Sequence, residues 1–375
     1  MNPEYTRRLD KIEALLRSRL PDRADAAWVD FAFAELGAAP PLELIKTLTD
    51  PGRDLLLRGG KRWRPLLMTL VCETLGGGDG AIPLSPLVEF PHTGSLIHDD
   101  IEDNSDERRG KPAAHILYGV DTAINSGCFL YFLPLACLND WDAPAERKNR
   151  IHQVYGEHLR RIHLGQAMDI AWHRNFSSLP SLEEYYLMCR LKTGVLARLS
   201  AELGVYAAGR TVRFGTGDDG QDNAQDSAQR DGQSWEVEMR LALELGKAAE
   251  NLGVGFQILD DVKNLTTGNP GKKRGDDIVE GKKSLPILLY LHQKGNRREF
   301  VIRCFSAARA GGTGSREVEE LIRELDEAGC IEEARKKGTE LIAGANGALS
   351  GGAFRGLRTE PSALRLLTGF ISLLG

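Results

Sequence analysis

Hydrophobic and polar positions in this chain repeat with a helical period over most of its length. Apolar residues recur three and four positions apart, and we find no convincing alternation of period two. Amphipathic or buried helices are predicted over 5–20, 41–49, 63–75, 146–171, 183–208, 236–263 and 316–346. Turn signals rich in glycine and proline separate them, at 76–78, 180, 268–271 and 311–312. The pattern predicts an all-α helical bundle.

Residues 209–234 interrupt this pattern. The segment is polar, rich in Gly, Asp and Gln, and nearly free of large apolar groups after Phe214. The predicted helices on both sides have apolar faces, which favours an insertion between two helices over a linker between domains. Large helical enzymes of this length can form one unit. We therefore expect a single all-α domain over residues 1–375 with a flexible polar insertion at about 209–234.

Composition narrows the class of protein. A formal net charge of −5 gives no electrostatic footprint for nucleic acid. The six cysteines have no CxxC spacing and resemble small buried residues of a reducing compartment. The charged first residues lack the apolar centre of a signal peptide, and the longest apolar run, 129–138, is interrupted by Pro134 and too short to cross a bilayer. We expect a cytoplasmic protein without a transmembrane segment.

An acidic cluster, Asp99-Asp100-Ile101-Glu102-Asp103, is the first candidate for chemistry. In a helix, Asp99, Asp100 and Asp103 share one face, because Asp103 follows the other two by four and three positions. Like charges this close repel one another, so a surface helix gains nothing from them. Magnesium removes the repulsion, since it binds oxygen ligands and commonly uses one or two carboxylates together with substrate phosphates. Alone, the cluster could equally be a solvated face.

A second acidic cluster strengthens the metal interpretation. Gln257, Asp260, Asp261 and Asn264 recur at helical spacing within the apolar context VGFQILDDVKNL. An unpaired charge in a hydrophobic run costs several kcal/mol unless it meets a cation or a polar partner. Two such faces in one chain suggest a cleft with metal ions between them.

Basic groups accompany both clusters. Gly59-Gly60-Lys61-Arg62-Trp63-Arg64 places three cations after a glycine pair, and Arg108-Arg109-Gly110-Lys111 directly follows the first cluster. Lys192-Thr193-Gly194 interrupts an apolar helical pattern, and a basic segment at 271–283 follows the second cluster. Ammonium and guanidinium groups bind diphosphates well, although an ordinary helix start, salt bridges or a snorkelling lysine would explain each group alone. The order GxxxxGK[ST] of a Walker loop is absent.

One histidine pattern points to a different metal. Glu89 and His92 form an ExxH pair, which is half of the motif of a di-iron carboxylate bundle. Such a bundle needs two pairs, and the sequence holds no second one. No Ser-His-Asp or Cys-His arrangement stands out, although sequence order cannot exclude one.

Six stretches, taken in order, resemble the trans-isoprenyl diphosphate synthases, also called polyprenyl synthetases. They are GGKRWRP, HTGSLIHDDIEDNSDERRGKPAAH, GQAMD, LKTG, GFQILDDVKN and GKKRGDDIVEGKKSLP, and they span about residues 55–290. Three segments, IEDNS, YGVDTAINS and GQAMDIAW, are most similar to geranylgeranyl diphosphate synthases of eukaryotic type. The resemblance implies an isoprenoid-synthase-type bundle, usually homodimeric, with two aspartate-rich helices facing across a deep central cavity.

The resemblance also implies roles for individual residues. The magnesium ligands would be Asp99, Asp100, Asp103, Asp260 and Asp261, with Asn264 as a further oxygen ligand. The allylic diphosphate would be held by Arg108, Lys192, Lys272 and Lys282. Isopentenyl diphosphate would be held by Gly60, Lys61, Arg64, His92 and Arg109. Oxygens of Thr193 and Gln257 would stabilise positive charge near the reacting carbons.

The implied reaction is a magnesium-dependent, head-to-tail trans condensation, with roughly three ions bound alongside substrate. An allylic carbocation forms, isopentenyl diphosphate attacks it, and a proton passes to the released diphosphate. Water has to be excluded because it would quench the carbocation, and the segment 271–283 is a candidate lid. The partners are thus isopentenyl diphosphate and a dimethylallyl, geranyl, farnesyl or geranylgeranyl diphosphate.

Product length depends on the cavity beside the first aspartates. In this family a bulky aromatic one turn before Asp99 ends growth early, and Gly94 and Ser95 stand here instead. We therefore expect geranylgeranyl diphosphate or a longer product. Phe129, Tyr131 and Phe132 could form the cavity floor or could be ordinary core.

Three features depart from the family pattern. Asn264 replaces the last aspartate of the second motif, and the insertion has no counterpart. Pro91 should kink its helix or remove a hydrogen bond, and so displace His92. A class I terpene cyclase or a non-catalytic partner subunit are the alternatives. The cations Lys61, Arg64 and Arg109 argue against a cyclase, and the presence of both acidic clusters argues against a non-catalytic subunit.

Overall fold

Helices make up most of the described chain. The computed structural model describes residues 2–38, 40–209, 224–268 and 273–373, and for 224–234 it describes the backbone alone. The described strands form one short hairpin, so the all-α fold is confirmed. The chain divides into two compact units, unit 1 (Met1–Leu159, Arg198–Gly246, Ser350–Leu367) and unit 2 (Arg160–Ala197, Lys247–Leu349, Thr368–Gly375). A single domain over the whole chain stays a prediction.

The first part of unit 1 carries eight helices and the hairpin. The helices are α1 (Pro3–Arg19), α2 (Ala26–Phe33), α3 (Leu42–Leu57), α4 (Trp63–Thr74), α5 (Pro86–Glu102), α6 (Ala114–Tyr118), α7 (Val120–Phe132) and α8 (Cys137–Asp140). Short 3-10 segments cover Gly78–Leu84 and Leu133–Ala136. Strands β1 (Glu107–Arg108) and β2 (Lys111–Pro112) pair antiparallel between α5 and α6.

Ten further helices follow among the described residues. They are α9 (Ala145–Arg174), α10 (Leu182–Cys189), α11 (Val195–Ala208), α12 (Ala224–Thr266), α13 (Asp276–Glu280), α14 (Leu285–Gln293), α15 (Arg298–Gly311), α16 (Arg316–Glu327), α17 (Cys330–Gly347) and α18 (Pro361–Ser372). Helix α12 begins inside the predicted insertion 209–234, and residues 210–223 of that insertion lie outside the described residues.

Polar residues at several helix starts explain where those helices begin. The side chain of Asn2 accepts from the N–H of Glu4, and that of Asp25 accepts from the N–H of Trp28. Ser181 and Glu184 form a reciprocal capping box at the start of α10. Such caps satisfy backbone N–H groups that have no partner within the helix.

Two predicted helices prove to be divided. Over 316–346, α16 ends before Gly329, whose φ of +72° ends the helical path, and α17 begins after it. Over 183–208, a π-helical turn at Arg190–Gly194 separates α10 from α11. Single π turns are often found at functional sites. The turn lies against a glycine, since a Cβ on Gly165 would be 2.5 Å from the backbone nitrogen of Lys192.

Helix α5 continues through Pro91, which has no N–H to donate, so the proline removes a hydrogen bond without ending the helix. It packs closely on α7. A Cβ on Gly94 would be 2.6 Å from the carbonyl oxygen of Gly127, and a Cβ on Gly127 would be 2.6 Å from Nε2 of His98. These glycines bring the helix of the first acidic cluster against α7.

The core of unit 2 is a continuous apolar cluster that includes Ile258, Val262, Ile278 and Phe305. Ile258 and Val262 lie on the buried face of α12, four positions apart, and the second acidic cluster is on the same helix. Ile278 belongs to α13 and is fully buried. Residues 276–280 are therefore a packed helix and not a loose part of a lid.

Two further findings concern the cysteines and one apolar stretch. All six cysteines are free, and five of them are buried. By length and composition alone, Val120–Asp140 could span a membrane, and 44% of its apolar window is buried. A partly buried stretch of this kind is also typical of a core helix.

Candidate active site

The first acidic cluster lies at the end of α5, in unit 1. Asp99 and Asp100 belong to the last helical turn, and Asp103 is the residue that caps it, with its N–H 2.9 Å from the carbonyl oxygen of Asp99. The three aspartates thus stand at one helix end, and the shared face of their carboxylates stays a prediction. Their environments differ, because the side chain of Asp99 is 17% exposed and that of Asp100 only 1%.

Arg108 in β1 binds this cluster. Its Nε donates to Oδ1 of Asp100 at 2.8 Å, its Nη2 donates to the same oxygen, and Nη2 lies 3.5 Å from Oδ2 of Asp99. Although burial works in the opposite direction, the hydrogen bonds to Asp100 and the charges of Asp99 and Asp103 raise the pKa of Arg108. Arg108 therefore stays cationic, and it lies where an anion bound at the cluster would meet it.

A second group of cations gathers in unit 1, around the glycine pair. Gly60 and Lys61 are exposed, and Arg64 is 8% exposed with its guanidinium 4.5 Å from the ring centre of Trp63. Burial lowers the pKa of Arg64 to about 10. Within the described residues, its Nε has no hydrogen-bond partner. A buried guanidinium with an open donor is suited to an anion.

Arg109 and His92 complete this group. Arg109 donates from Nη1 to the carbonyl oxygen of Gly59, and to that of Leu55 at 3.3 Å. A Cβ on Gly60 would be 3.1 Å from Nη2 of Arg109, so the glycine leaves room for this packing. Burial and the charges of Arg64 and Arg109 hold the pKa of His92 well below its usual range. His92 is thus neutral, and it remains beside the arginines despite Pro91.

Arg62 is the exception among the three cations of the glycine segment. Its Nη1 lies 2.7 Å from Oε1 of Glu89, its Nε 2.6 Å from Oε1 of Glu13, and its Nη2 donates to the carbonyl oxygen of Leu56. Arg62 and Glu89 are both 3% exposed. Arg62 is therefore a structural ion-pair residue, and its predicted exposure to a diphosphate is wrong. The carboxylate of Glu89 is engaged in this ion pair. The di-iron interpretation of the Glu89–His92 ExxH pair therefore loses support.

In unit 2, the π turn positions two of the predicted residues. Nζ of Lys192 lies 2.6 Å from Oδ2 of Asp169, a residue of α9 that is 6% exposed. Thr193 donates from Oγ1 to Oε1 of Gln257 at 2.8 Å. Asp169 ends the GQAMD stretch, and its ion pair with Lys192 gives it a role that the stretch alone does not predict.

The second acidic cluster divides into an exposed and a buried aspartate. Asp260 is exposed, whereas Asp261 is 7% exposed. Nε2 of Gln257 donates to Oδ1 of Asp261, and the hydroxyl of Tyr185 donates to Oδ2, both at 2.8 Å. Burial raises the pKa of Asp261 to about 6, although these two hydrogen bonds oppose the rise. Like Asp169, Tyr185 is a site residue that the sequence pattern does not predict, since it lies 76 positions from its partner Asp261.

Asn264 has a structural role in this unit. Its side chain is fully buried, and its Oδ1 accepts from the N–H of Asp277 at 3.2 Å. The carbonyl oxygen of Asn264 also accepts from the N–H of Gly275 at 3.0 Å. Its side-chain oxygen thus anchors the start of α13, and its role as a further metal ligand stays a prediction.

Of the two lysines predicted to bind diphosphate in the basic segment, the structure describes one. Nζ of Lys282 lies 2.6 Å from Oε2 of Glu280, and the lysine is half-buried. Lys272 lies outside the described residues.

The three aromatics proposed for the cavity floor have different surroundings. Tyr131 is 6% exposed, and its hydroxyl lies 3.3 Å from Nδ1 of His98. Phe129 stacks on Phe33 with ring centres 5.6 Å apart, and Phe132 is 68% exposed. They do not form one buried aromatic layer.

A helical fold with acidic clusters and grouped cations defines a class of enzymes that bind diphosphates, and comparison with known proteins identifies the family. The model of the polyprenyl synthetase family matches residues 45–222 and 234–325, and the chain belongs to this family. It is a trans-prenyltransferase, and the prediction of prenyl chain elongation is confirmed at this level.

Relatives and solved structures agree with this assignment. The chain is 35% identical to geranylfarnesyl diphosphate synthase of Aeropyrum pernix over 263 residues, which cover 68% of this chain and 73% of the relative. It is 32% identical to geranylgeranyl pyrophosphate synthase of Geoglobus acetivorans over 307 residues, covering 80% and 85%. Geranylgeranyl pyrophosphate synthetase from Pyrococcus horikoshii has a similar structure, with a TM-score of 0.73, 27% identity and coverage of 98% and 96%.

Proposed function

We propose that this chain condenses isopentenyl diphosphate with an allylic diphosphate, with magnesium, to give linear geranylgeranyl diphosphate or a longer product. The observation that carries the proposal is the second cation group of unit 1, formed by Lys61, Arg64 and Arg109 beside neutral His92. It is separate from the pairing of Arg108 with the acidic cluster. Chain elongation binds two diphosphates, whereas a terpene cyclase binds one, so two anion sites favour elongation.

Magnesium suits the oxygen donors of both units. Asp99 and Asp103 offer carboxylates at a helix end, and Asp260 offers an exposed carboxylate. In the part of the chain that the structure describes, no three acidic, His or Cys side chains are arranged to hold an ion together. Magnesium commonly takes one or two carboxylates and completes its shell with phosphates and water. When bound, it stabilises the negative charge that builds on the departing diphosphate.

On the family resemblance, the allylic diphosphate is held by Arg108, Lys192 and Lys282 in this proposal. Arg108, Lys192 and Lys282 each carry an ion pair with a carboxylate in the structure. These partners hold the cations in fixed positions, so less side-chain entropy is lost when substrate binds. Preorganised positive charge near the leaving group lowers the barrier to its departure. Lys272 is proposed for the same role on the family resemblance alone.

Thr193 and Gln257 stabilise the allylic carbocation in this proposal. Their hydrogen bond orients Oε1 of Gln257, and Asp261 fixes the other end of the amide. Amide and hydroxyl oxygens present negative dipole ends without acting as strong nucleophiles. The proton lost after the attack by isopentenyl diphosphate passes to the released diphosphate, so no protein base is required.

A product of geranylgeranyl length or longer is supported by the lack of an aromatic side chain at Gly94 and Ser95. A Cβ on Gly94 already meets the carbonyl oxygen of Gly127, so a bulky side chain at this position would force α5 and α7 apart. Ser95 is half-buried, and its hydroxyl donates to the carbonyl oxygen of His92 at 2.8 Å. Neither residue supplies the aromatic stop that shortens products in this family.

A product assay tests the proposed function. Purified protein receives magnesium, isopentenyl diphosphate and, separately, each of the dimethylallyl, geranyl, farnesyl and geranylgeranyl diphosphates, and the dephosphorylated products are sized by mass spectrometry. We expect linear alcohols of geranylgeranyl length or longer, and loss of turnover when the metal is chelated. Cyclic hydrocarbons would establish the cyclase instead. A folded protein without turnover would favour the partner-subunit alternative.

A homodimer is the second part of the proposal, and an apolar stripe on α7 supports it. Val120, Ile124, Cys128 and Phe132 follow one another at four-residue spacing and are all exposed, with Phe132 at 68%. Ile116 on the neighbouring α6 is also 55% exposed. Contiguous exposed apolar surface marks an interaction site. A two-fold dimer would bury the stripe against its copy.

We therefore expect Ile124→Glu to convert a dimer into a monomer, because the interface would have to bury two unpaired carboxylates. Dissociation should become at least about a hundredfold easier. Light scattering after size exclusion would show a fall from twice the chain mass toward 41.2 kDa. Leu187→Glu is the matched control, since Leu187 is 45% exposed on α10 and should leave the mass unchanged. A wild-type monomer at micromolar concentration would contradict the dimer.

We also propose a cytoplasmic location. It is supported by the free cysteines, five of which are buried thiols without disulfide partners in the structure. Unpaired thiols are typical of a reducing compartment.

A further inference from the structure

Lys283 in unit 2 is a buried cation that the proposed mechanism does not use. It directly follows Lys282, and it is 3% exposed. Its Nζ donates to the carbonyl oxygens of Trp172 and Gly281, both at 2.7 Å. Its ammonium also lies over the rings of Phe305 and Phe176, 4.7 and 5.3 Å from their centres.

Arg309 of α15 repeats this arrangement on the neighbouring carbonyls, one residue later in α9 and one residue earlier at the end of α13. It donates from Nη2 to the carbonyl oxygens of His173 at 3.0 Å and of Glu280 at 2.6 Å. Its guanidinium lies 4.3 Å from the ring centre of Phe176. The two cations thus bind adjacent carbonyls at the end of α9 and in the turn after α13. We call Lys283, Arg309 and these carbonyls the carbonyl clamp.

The two segments joined by the carbonyl clamp lie in direct contact. Gly281 has a φ of +80°, and a Cβ there would be 2.5 Å from Cε1 of Phe176 and 3.1 Å from the carbonyl oxygen of His173. Only glycine allows the turn to lie this close to the end of α9. The carbonyl clamp therefore holds the turn after α13 tightly against the end of α9.

Each segment is also linked to a cation of the proposed allylic diphosphate site. Lys282 lies in the turn itself, and its Nζ is paired with Glu280. One helical turn before Trp172, Asp169 of α9 holds Nζ of Lys192. A shift of the turn along α9 would change the separation of Lys282 and Lys192. Because both must contact one diphosphate, their separation decides how well that substrate binds.

We propose that Lys283 is a positioning residue for the allylic diphosphate, acting with Arg309 to hold Lys282 in register with Lys192. This role rests on the proposed function. The burial of an ammonium group fits such a role better than a stabilising one. An apolar side chain of similar length would fill the same space without a desolvation penalty.

The charge state of Lys283 gives the carbonyl clamp a pH dependence. Burial and the neighbouring Arg309 lower the pKa of Lys283 to about 7, and the carboxylate of Asp169 opposes the shift. His173 of α9 and Glu280 and Lys282 of the turn are the other titratable groups around it. Below this pKa the ammonium makes charge-assisted hydrogen bonds, and above it a neutral amine makes weaker ones. The KM for the allylic substrate should therefore rise as the pH passes upward through about 7.

The test compares Lys283→Met with Lys336→Met, a matched change at a lysine of α17 whose side chain is 75% exposed. We expect Lys283→Met to raise the KM for the allylic diphosphate roughly tenfold, the effect of losing charge-assisted hydrogen bonds. The KM for isopentenyl diphosphate should stay unchanged, and the rise in KM near neutral pH should disappear. Arg309→Met should change the same KM in the same direction. Lys336→Met should match the wild type.

Amide hydrogen exchange of residues 276–283 gives a readout that does not depend on turnover. It should become faster in Lys283→Met, because the junction with α9 loosens. An active wild type with an unchanged allylic KM in Lys283→Met and Arg309→Met would overturn the clamp and leave the proposed function standing. Equal losses of activity toward both substrates, in proportion to the fraction of unfolded protein, would also overturn the carbonyl clamp. A wild type without prenyl transfer would instead refute the proposed function, and the role of Lys283 with it.

Discussion

Replacement of Asp99 by asparagine is expected to lower kcat for prenyl transfer about a thousandfold, or roughly 4 kcal/mol in the barrier, even at saturating magnesium. The amide keeps the shape of the side chain and removes its charge. Asp99 is the appropriate target because its carboxylate is partly exposed, whereas that of Asp100 is buried against Arg108. Initial rates over a magnesium titration, with both substrates saturating, measure the effect.

Asp106→Asn is the matched control for this variant. Asp106 is an exposed acid just before the hairpin, outside the cluster, and its replacement should change kcat by less than about twofold. Thermal melts establish that both variants are folded. If Asp99→Asn kept more than a tenth of the wild-type kcat at the same half-saturating magnesium concentration, the first acidic cluster would not be the metal site.

The sequence predicts the helices of the acidic clusters well, because a helical period is a local property. Asp99 lies in the last turn of α5, and Asp103, four positions later, caps the same helix. The spacing does not predict that Asp100 is buried and Asp99 partly exposed. That difference depends on the tertiary packing around the end of α5, where Arg108 of β1 covers Asp100.

Cations are harder to assign from sequence, because their partners come from distant helices. Arg62 and Arg64 are two positions apart and look equivalent, yet Arg62 meets Glu13 and Glu89, which are 49 and 27 positions away. Arg62 also has a φ of +46°, which turns the chain at the start of α4. No local pattern distinguishes Arg62, which is held in ion pairs, from Arg64, whose Nε has no hydrogen-bond partner among the described residues.

Residues that act through others are the hardest to find. Asp169 is visible as part of GQAMD, but its partner Lys192 lies 23 positions away in a π turn that propensity does not predict. Asn264 shows the reverse case. It stands where the family pattern has a metal-binding aspartate, and its contact with the start of α13 comes from the tertiary fold and not from the motif. The position of a residue in a motif predicts which helix carries it. It predicts less well which partner its side chain contacts.

Arg62→Met is expected to lower the free energy of unfolding by about 3–5 kcal/mol, since it leaves the buried carboxylate of Glu89 without its cation. Glu89 is 3% exposed, so water cannot replace the guanidinium without local opening. Methionine fills similar space and costs no more than arginine at positive φ. Urea unfolding followed by circular dichroism measures the change. Arg17→Met is the control, because Arg17 has an exposed side chain 3.8 Å from Glu13 and should change stability by less than about 0.5 kcal/mol.

The double variant Arg62→Met/Glu89→Leu separates a structural role for Arg62 from a role in substrate binding. A buried ion pair replaced by apolar residues of similar volume is often neutral or better for stability, so the second change should recover most of the loss. Glu13 keeps access to water, because its side chain is 27% exposed. If Arg62 only positions α4, the stable double variant should keep a KM for isopentenyl diphosphate close to that of the wild type. A KM that stayed high in a fully stable double variant would mean that Arg62 itself contacts the diphosphate, as Arg64 is proposed to do.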